Sequence, residues 1–280
     1  MQNHKKETIV IKLSGKVVEN KDDLTSLAHE TAKLVKRDVR VAIVHGGGKQ
    51  VNDIAEKLGF PQRFVSGRRV TDDSTLNVVK MVFAGLVSTD VTSALVGAGL
   101  KSVGISGVDG NTIMASKRAP REVLDPKTRS CSVVDYGYVG DITEIDTSLP
   151  LLLMDRGYIP VIASLGVDPC GRLLNINADT IAAEIAIALS ADRIIYFSDV
   201  NGIYKNLEEE GSRFLNISIG NLMKLVKDGT ITGGMIPKIE SISKILSSGV
   251  KSAHVAGPSS NYDVFRELFT ENGKGTTISR

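Results

Sequence analysis

The feature that most constrains the fold is an alternation of short apolar runs with longer segments of helical periodicity. The runs span residues 8–13, 40–45, 101–106, 158–163, 193–198 and 251–256. Several are almost continuously apolar, which is typical of parallel strands buried on both faces. Helices are predicted between them at 24–37, 49–58, 73–97, 180–190, 219–227 and 237–248. This order predicts an α/β fold in which right-handed crossovers join a mainly parallel sheet.

The stretch 111–146 departs from this alternation. Its valines, tyrosines and isoleucine stand among glycines and charges, a pattern that predicts antiparallel hairpins at the edge of the first half. A turn-like sequence follows at 168–171. We therefore predict two lobes, residues 1–172 and 173–280, that share one continuous sheet.

Composition excludes several classes of function. The net charge is only +2 and the basic residues are scattered in short pairs, whereas a nucleic-acid site needs a concentrated basic face. Cys131 and Cys170 lack metal-site spacing, which predicts reduced thiols in a cytoplasmic protein. The apolar stretches, such as 149–154, are too short to span a bilayer. We predict neither a nucleic-acid nor a membrane partner.

Two lysines lie where a lysine is locally unfavourable. Lys12 interrupts the first apolar run, and a cation at the end of a buried strand loses hydration. Lys238 opens a predicted helix, where a cation opposes the helix dipole by roughly 0.3–1 kcal/mol. Both positions are explained if an anion binds beside them.

Glycine-rich segments adjoin these positions and indicate that the anion is a phosphate. Gly15 follows the first strand, and Gly46-Gly47-Gly48 separate the second strand from a helix. Free backbone N–H groups at a helix N-terminus bind anions. The spacing matches neither G-x-G-x-x-G nor G-x-x-x-x-G-K-[ST], so the dinucleotide and Walker interpretations lack their defining pattern.

Two polar segments also belong to the candidate site. Arg69 is suited to a bidentate grip on a carboxylate, whereas Arg68 is interpreted as a solvated neighbour. Asn175, Asn177 and Asp179 share one face of an extended backbone; helix capping explains one of them but not all three.

Two further segments fit a nucleotide. Residues 198–204 follow a strand at the edge where α/β sheets bind ligands, although an Asx turn would also explain them. Residues 229–238 combine glycines with Lys238 and are similar to a second phosphate clamp.

Taken together, the segments resemble the amino acid kinase family in order and spacing along nearly the whole chain. The matching motifs are Val44-His45-Gly46-Gly47-Gly48, Gly67-Arg68-Arg69-Val70-Thr71, Asn175-Ile176-Asn177-Ala178-Asp179, Ser198-Asp199-Val200-Asn201-Gly202 and Gly233-Gly234-Met235 with Lys238. The segments around Arg69 and Asn175 resemble the branch that acts on acylated amino acids. One departure is Ser14-Gly15, where that branch often has Gly-Gly; uridylate kinases of the family also begin Lys-Leu-Ser-Gly.

The resemblance implies a three-layer αβα sandwich, with the first lobe binding the acyl amino acid and mediating dimerisation and the second binding ATP. The implied catalytic residues are Lys12, Lys238 and Asp179. The implied substrate-binding residues are Gly46, Gly47, Arg69, Asn175 and Asn177. The implied nucleotide-binding residues are Gly15, Asp199, Val200, Asn201, Gly202, Ile203, Tyr204, Thr230, Ile231 and Thr232.

The implied reaction is transfer of the γ-phosphoryl group of ATP, with Mg²⁺, to the side-chain carboxylate of N-acetyl-L-glutamate in arginine biosynthesis. Acylated aminoadipate remains an open acceptor, because one methylene is worth only about 1–3 kcal/mol of discrimination. UMP is disfavoured, since Arg69 and Asn175 suit a small carboxylate. A non-catalytic sensor is a more distant alternative, and a Rossmann oxidoreductase lacks its fingerprint.

Two features bear on assembly and regulation in opposite directions. Arginine-inhibited, hexameric relatives carry an extra N-terminal helix, whereas only seven residues precede the first strand here, which favours a homodimer. Residues 267–276, however, resemble the C-terminal segment of the inhibited relatives. Inhibition by arginine is therefore left open.

Overall fold

One eight-stranded sheet runs through the centre of the molecule. The computed structural model describes residues 6–124, 131–206, 208–231, 235–257 and 275–280. In spatial order the strands are β14 (Asn216–Ser218), β16 (Thr276–Ser279), β15 (Ser252–Ala256), β13 (Arg193–Phe197), β1 (Thr8–Leu13), β2 (Arg40–His45), β10 (Ile159–Ala163) and β5 (Ser102–Ser106). Six neighbouring strands, from β15 to β5, are parallel. All six predicted strands lie in this sheet, and both predicted lobes contribute to it.

Helices cover the two faces of the sheet and give three layers. The first face carries α1 (Gly15–Glu19), α2 (Lys21–Lys36), α3 (Gly48–Lys57), α4 (Asp73–Lys80) and α5 (Ser88–Gly97). The second face carries α6 (Ser148–Asp155), α7 (Ala178–Ala188), α8 (Ile219–Lys227) and α9 (Met235–Ser247). Strand β1 supplies Ile9, Ile11 and Leu13 to the first core and Val10 to the second. Lys12 alternates with them and points towards α7.

A smaller sheet and two hairpins lie outside the large sheet, and strand Leu165–Val167 of the smaller sheet follows β10 in the chain after one residue. The four-stranded sheet has the order β12 (Leu173–Asn175), β11 (Leu165–Val167), β6 (Ile113–Lys117) and β9 (Gly140–Ile145). The hairpins pair β3 (Phe64–Val65) with β4 (Arg68–Arg69) and β7 (Arg121–Leu124) with β8 (Cys131–Val134). The predicted antiparallel region is confirmed.

The predicted turn at 168–171 is confirmed as well. It joins β11 to β12, and the Asp168 carboxylate accepts hydrogen bonds from the N–H groups of Cys170 and Arg172. The two halves of the chain thus meet in a hairpin. Their division into lobes at residue 172 stays a prediction.

The helix predicted at 73–97 is continuous but includes a π-helical segment, Met81–Val87. In length and composition it would suffice to cross a membrane, and it is the single such helix among the residues described. The expectation that every apolar stretch is too short is therefore wrong for this helix. However, Val79, Phe83 and Val91 are buried against the sheet, which is typical of a core helix.

Short elements are where the structure adds to the sequence analysis. Gly15 begins α1 rather than a turn, because burial of Val17 and Val18 holds the segment against the first core. Helix α6 coincides with an apolar run too short to show a helical period. Helix α7 begins two residues before the prediction because Asn177 caps it.

Candidate functional site

The candidate site lies at the edge of the large sheet where the parallel strands end. Lys12 and Leu13 end β1, His45 ends β2, and Asp199 follows β13 two residues after its end. Ligands of open α/β sheets bind outside the carboxyl ends of the strands. The sheet therefore gathers segments that are far apart in the sequence at one place.

Lys12 and Lys238 meet at a single carboxylate, that of Asp179. Lys12 Nζ lies 2.7 Å from Asp179 Oδ1, and Lys238 Nζ lies 2.7 Å from Asp179 Oδ2. The side chains of Lys12 and Lys238 are only 13% and 11% exposed, and that of Asp179 is 28% exposed. One carboxylate thus aligns two ammonium groups and leaves the trio with a net positive charge.

The position of Asp179 follows from the start of α7. Asn177 is the N-cap, and its side-chain oxygen accepts hydrogen bonds from the N–H groups of Asp179 and Thr180. Asp179 therefore lies in the first turn, where the helix dipole favours a negative charge. Helix α7 packs on β1 and on α9, the elements that carry the two lysines.

The electrostatics of Asp179 are dominated by its partners. Burial by itself raises the pKa of this carboxyl, but attraction by Lys12 and Lys238 and their hydrogen bonds outweigh it and bring the pKa to about 2. Burial lowers the pKa of Lys238; attraction by Asp179 opposes this change and repulsion by Lys12 adds to it. Asp179 is hence a permanent anion at neutral pH, and it favours the charged form of Lys238.

The predicted glycine segments lie against each other beside this trio. A Cβ atom at Gly46 would lie 3.4 Å from the Cβ of Ala178, the residue before Asp179. A Cβ atom at Gly15 would lie 3.2 Å from Gln50 Oε1, and Gln50 Nε2 donates to the Gly15 carbonyl at 2.9 Å. The first turns of α1 and α3 thereby face the same space, with their N–H groups available to an anion.

Gly47 is required by its conformation. Its φ of 151° is one that residues with a side chain rarely adopt, and a Cβ atom there would lie 3.0 Å from Val87 Cγ2. As the N-cap of α3 it lets the chain enter the helix in close contact with the π-helical segment.

His45 holds the loop before Gly47 in place. It is fully buried, and its Nδ1 lies 2.9 Å from the Gly46 carbonyl oxygen. Burial lowers the pKa of His45 to about 4, so the ring is neutral at pH 7 and Nδ1 donates to the carbonyl. No role was predicted for His45 from the sequence; a histidine that ends a buried strand was the available signal.

Arg69 lies next to the N-terminus of α3. Its guanidinium donates to the Gly48 carbonyl oxygen at 2.7 Å and to the side chain of Gln62, and it lies 4.9 Å from the centroid of the Phe64 ring. Burial lowers the pKa of Arg69 to about 10, which leaves it charged. The structure thus places this cation beside the glycine loop, whereas Arg68 is exposed.

Asn175 and Asn177 have separate surroundings. Asn175 Nδ2 donates to Thr71 Oγ1 at 3.1 Å, so the Asn175 segment contacts the segment that follows Arg69. Asn177 is the α7 cap, and its side-chain oxygen is used there. The predicted capping role is therefore confirmed for Asn177. Of its side-chain atoms, only Nδ2 would remain for a substrate.

The segment after β13 packs against the neighbouring strand ends. Asn201 Oδ1 accepts a hydrogen bond from Gly257 N at 3.2 Å, and the Tyr204 hydroxyl donates to the Asn201 carbonyl at 3.2 Å. Ile203 is buried, and its N–H donates to Thr276 Oγ1 at 2.8 Å. Gly202 has a φ of 110°. Ile203 therefore supports the segment from the core, and Asp199 is the exposed member.

The second predicted nucleotide segment is described only in part. Ile231 is buried in the second core, and Thr230 N donates to Asp228 Oδ1 at 3.0 Å. Thr232, Gly233 and Gly234 lie outside the described residues.

Comparison with known proteins decides the family. Residues 7–257 match the model of the amino acid kinase family. The chain belongs to the amino acid kinase family.

Individual relatives agree with this assignment. An acetylglutamate kinase of Methanocorpusculum labreanum (strain ATCC 43576 / DSM 4855 / Z) is 41% identical over 276 residues, 98% of this chain and 92% of the relative. An acetylglutamate kinase of Methanothermobacter thermautotrophicus (strain ATCC 29096 / DSM 1053 / JCM 10044 / NBRC 100330 / Delta H) is 36% identical over 276 residues, 99% of this chain and 94% of the relative. The crystal structure of smu.665 from Streptococcus mutans UA159 has a TM-score of 0.74, with 30% identity, and covers 97% of this chain and 98% of that one.

One residue of this amino acid kinase site was not found by sequence reasoning. The Lys238 ammonium lies 4.6 Å from the centroid of the Tyr196 ring. Tyr196 lies within an apolar strand and is fully buried, so its pattern is that of a core residue.

Among the residues described, no group of three or more His, Cys, Asp or Glu side chains could hold a metal ion.

Proposed function

We propose that the chain transfers the γ-phosphoryl group of ATP to the side-chain carboxylate of N-acetyl-L-glutamate, the second step of arginine biosynthesis. The observation that carries the proposal is the meeting of Lys12 and Lys238 on Asp179, beside the glycine loops. Relatives named acetylglutamate kinase, 36–41% identical over nearly the whole chain, support this acceptor.

The chemistry needs positive charge rather than a base. The acceptor carboxylate is already ionised at pH 7. One of its oxygens bonds to the γ-phosphorus, the bond from that phosphorus to the β,γ-bridging oxygen breaks, and ADP leaves with the electron pair. The barrier comes from bringing two anions together and from charge on the departing oxygen, so alignment and cationic groups lower it.

The trio supplies these cations in fixed positions. Lys12 would contact the phosphoryl group in transfer, and Lys238 would contact the γ-phosphate and the leaving side. Asp179 holds both ammonium groups before the substrates arrive, so little reorganisation is needed during the reaction. Their low exposure strengthens the interaction with phosphate, because little water competes.

The remaining groups bind and orient. The N–H groups near Gly15, Gly46 and Gly47 would hold phosphoryl oxygens, and Arg69 would bind the substrate α-carboxylate with the help of Asn175. The segments 199–204 and 230–232 would surround the nucleotide.

We also propose Mg²⁺ as the companion of ATP. Bound Mg²⁺ neutralises charge on the β- and γ-phosphate oxygens and typically keeps several waters. The two lysines take the Asp179 carboxylate, so the ion would be held mainly by ATP oxygens and water. Asp199 is an exposed carboxylate where the parallel strands end.

A direct assay tests the acceptor. Purified protein is incubated with ATP and with N-acetyl-L-glutamate, N-acetyl-aminoadipate or UMP, and acyl phosphate is trapped with hydroxylamine while ADP is measured. We expect hydroxamate and ADP in equal amounts with N-acetyl-L-glutamate. A higher kcat/KM with N-acetyl-aminoadipate would identify that compound as the acceptor. ADP formed with UMP but without hydroxamate would indicate a nucleotide kinase. No ADP with any acceptor would indicate a sensor.

Arg69→Ala is expected to raise the KM for N-acetyl-L-glutamate by about 10- to 100-fold, because a hydrogen-bonded charge pair with the substrate is lost. The KM for ATP should stay within about twofold, since Arg69 lies in residues 1–172, the lobe proposed to bind the acceptor. Steady-state kinetics with each substrate varied in turn measures both values. Arg68→Ala is the matched control and should change neither. A larger rise in the KM for ATP would show that the lobes are assigned in reverse.

We further propose a homodimer formed through the β5 edge. Strand β5 ends the large sheet, and the neighbouring helix exposes Met81, Leu86 and Val96 with relative exposures of 54%, 45% and 58%. Exposed apolar patches of this kind mark interfaces.

Leu86→Asp combined with Met81→Asp is expected to reduce the mass measured by light scattering from two chains to one, because two charges would be buried in the interface. Leu215→Asp, at an exposed leucine beside β14 on the opposite edge, is the control and should leave the mass unchanged. A wild-type mass of one chain would refute the proposed dimer.

A further inference from the structure

The Tyr196 side chain lies in the core directly beneath the trio formed by Lys12, Asp179 and Lys238. It is in β13, directly paired with Lys12 of β1 in the parallel register. Paired residues of neighbouring strands point to the same face of a sheet, so Tyr196 and Lys12 both face α7 and α9. The Tyr196 side chain is fully buried and therefore contacts neither substrate.

The Lys238 ammonium lies over the face of this ring. The distance from Nζ to the ring centroid is 4.6 Å, well within the range of a cation–π contact, and such contacts are stronger when the cation is shielded from water. Lys238 is 11% exposed and is bonded to Asp179 Oδ2. It thus has a carboxylate as one partner and an aromatic face as another.

The Tyr196 ring attracts the Lys238 ammonium without cancelling its positive charge, which a second carboxylate would do. Lys238 lies in the first turn of α9, where the helix dipole repels a cation, and Lys12 repels it as well. Another carboxylate would hold it but would cancel the positive charge that the phosphoryl group needs. An aromatic face attracts a cation through its quadrupole and carries no net charge.

We propose that Tyr196 is a positioning residue for phosphoryl transfer, its ring face fixing the Lys238 ammonium where the γ-phosphate arrives. This inference rests on the proposed function for its kinetic consequences. The contact itself does not depend on which acceptor is used.

The ring, rather than the hydroxyl, carries this role. The hydroxyl oxygen of Tyr196 is buried and has no hydrogen bond of good geometry, although the side chain of Ser241 in α9 is near enough to interact with it. Burial and the negative charge of Asp179 raise the pKa of Tyr196, so it stays a neutral phenol. Phenylalanine should therefore replace it with little loss.

Three other titratable groups act on Lys238 and a fourth acts on Tyr196, and all four enter any pH profile. Asp179 of α7 and Asp199 after β13 favour its charged form, and Lys12 of β1 disfavours it. Glu184 of α7 acts on Tyr196. None of them is changed in the variants below.

Three variants separate the ring from the volume it fills. Tyr196→Phe keeps the aromatic face, and Tyr196→Leu removes it but keeps an apolar side chain. Phe197→Leu is the matched control, because Phe197 is the next residue of β13, is equally buried and packs into the core on the opposite face of the sheet. Tyr196→Met replaces the leucine variant if that variant does not fold.

Tyr196→Leu is expected to lower kcat about tenfold with both KM values within about twofold, whereas Tyr196→Phe stays close to wild type. Because the ring favours the ammonium form, its loss should also move the alkaline limb of kcat to lower pH by about one unit. Phe197→Leu should leave kcat and the limb unchanged. Equal kcat and pH profiles for the Leu and Phe variants of Tyr196 would refute the proposal.

A readout without turnover separates this proposal from the proposed function. The Lys238 side chain is titrated by NMR of lysine-labelled protein, with Lys238→Arg used to assign its signal. Its pKa should be lower in Tyr196→Leu than in wild type and unchanged in Tyr196→Phe and Phe197→Leu. An unchanged pKa in Tyr196→Leu would refute the positioning role even in an active enzyme, and the expected change would support it even if the acceptor proves different.

Discussion

Replacement of Lys238 by alanine is expected to lower kcat by roughly 10²- to 10³-fold, the effect typical of losing one preorganised charge-stabilising group. The Lys238 Nζ atom is held 2.7 Å from Asp179 Oδ2 and its side chain is 11% exposed, so water would weaken its proposed interaction with the γ-phosphate only a little. The chain should remain folded, because Asp179 keeps Lys12 as its partner. Lys12→Ala should lower kcat by a factor of the same order, because Lys12 is proposed to contact the phosphoryl group in transfer.

The measurement is kcat by the hydroxamate assay together with thermal unfolding of each variant. Lys244→Ala is the matched control, since Lys244 lies further along α9 and pairs with Glu184 rather than with Asp179. We expect the double variant of Lys12 and Lys238 to be less impaired than the product of the single effects, because residues that act as a unit are not additive. Near-normal turnover in either single variant would remove that lysine from the mechanism.

Asp179→Asn is expected to lower kcat by about 10²-fold at neutral pH, of the order seen when a preorganised charged group is lost. Without the carboxylate, burial and repulsion by Lys12 still lower the pKa of Lys238, and the attraction by Asp179 that opposes them is gone. The alkaline limb of kcat should therefore move to lower pH. Two neighbouring ammonium groups would also lose the anion that aligns them.

The same variant should lose stability in a pH-dependent way. The pKa of Asp179 is about 2 in the folded protein against an ordinary value of 3.8, so its ionisation stabilises the folded state above pH 3.8 by on the order of 2 kcal/mol. This contribution is lost as the pH falls from about 4 to below 2, because the folded carboxyl is only half protonated at its pKa of about 2. The difference in free energy of unfolding between wild type and Asp179→Asn should be largest near neutrality and shrink over that window.

Urea unfolding at a series of pH values measures this difference. Asp192→Asn is a useful control, because Asp192 is similarly shielded, 15% exposed, and pairs with Lys251 at the opposite edge of the sheet. It should reduce stability without moving the alkaline limb of kcat. An Asp179→Asn variant with the wild-type pH profile would show that Asp179 does not control the charge of Lys238.

The strands and the main helices were predictable from the sequence because their signals are local. The run 8–13 becomes β1 with the same bounds, and the segment 219–227 becomes α8 unchanged. Helix α6 was not predicted, since its apolar run is too short to show a period and contains Pro150. Helix α1 was hidden for a similar reason, because five residues give no periodicity.

The residues of the candidate site were likewise predictable only where their signal is local. Lys12 and Lys238 were found because each is locally unfavourable, and the capping role of Asn177 was weighed because a cap is a local interaction. Tyr196 was missed because nothing in an apolar strand distinguishes a ring beneath an ammonium group from an ordinary core residue.

The sequence by itself determined the order of the main strands and helices, the family to which the chain belongs, and which lysines lie at locally unfavourable positions. Only the tertiary structure decided that Lys12, Asp179 and Lys238 share one ion-pair cluster and that the Tyr196 ring lies beneath it. The physical reason is range. Backbone periodicity is written in neighbouring residues, whereas the distance between side chains on β1, α7, β13 and α9 is set by how the sheet and helices pack.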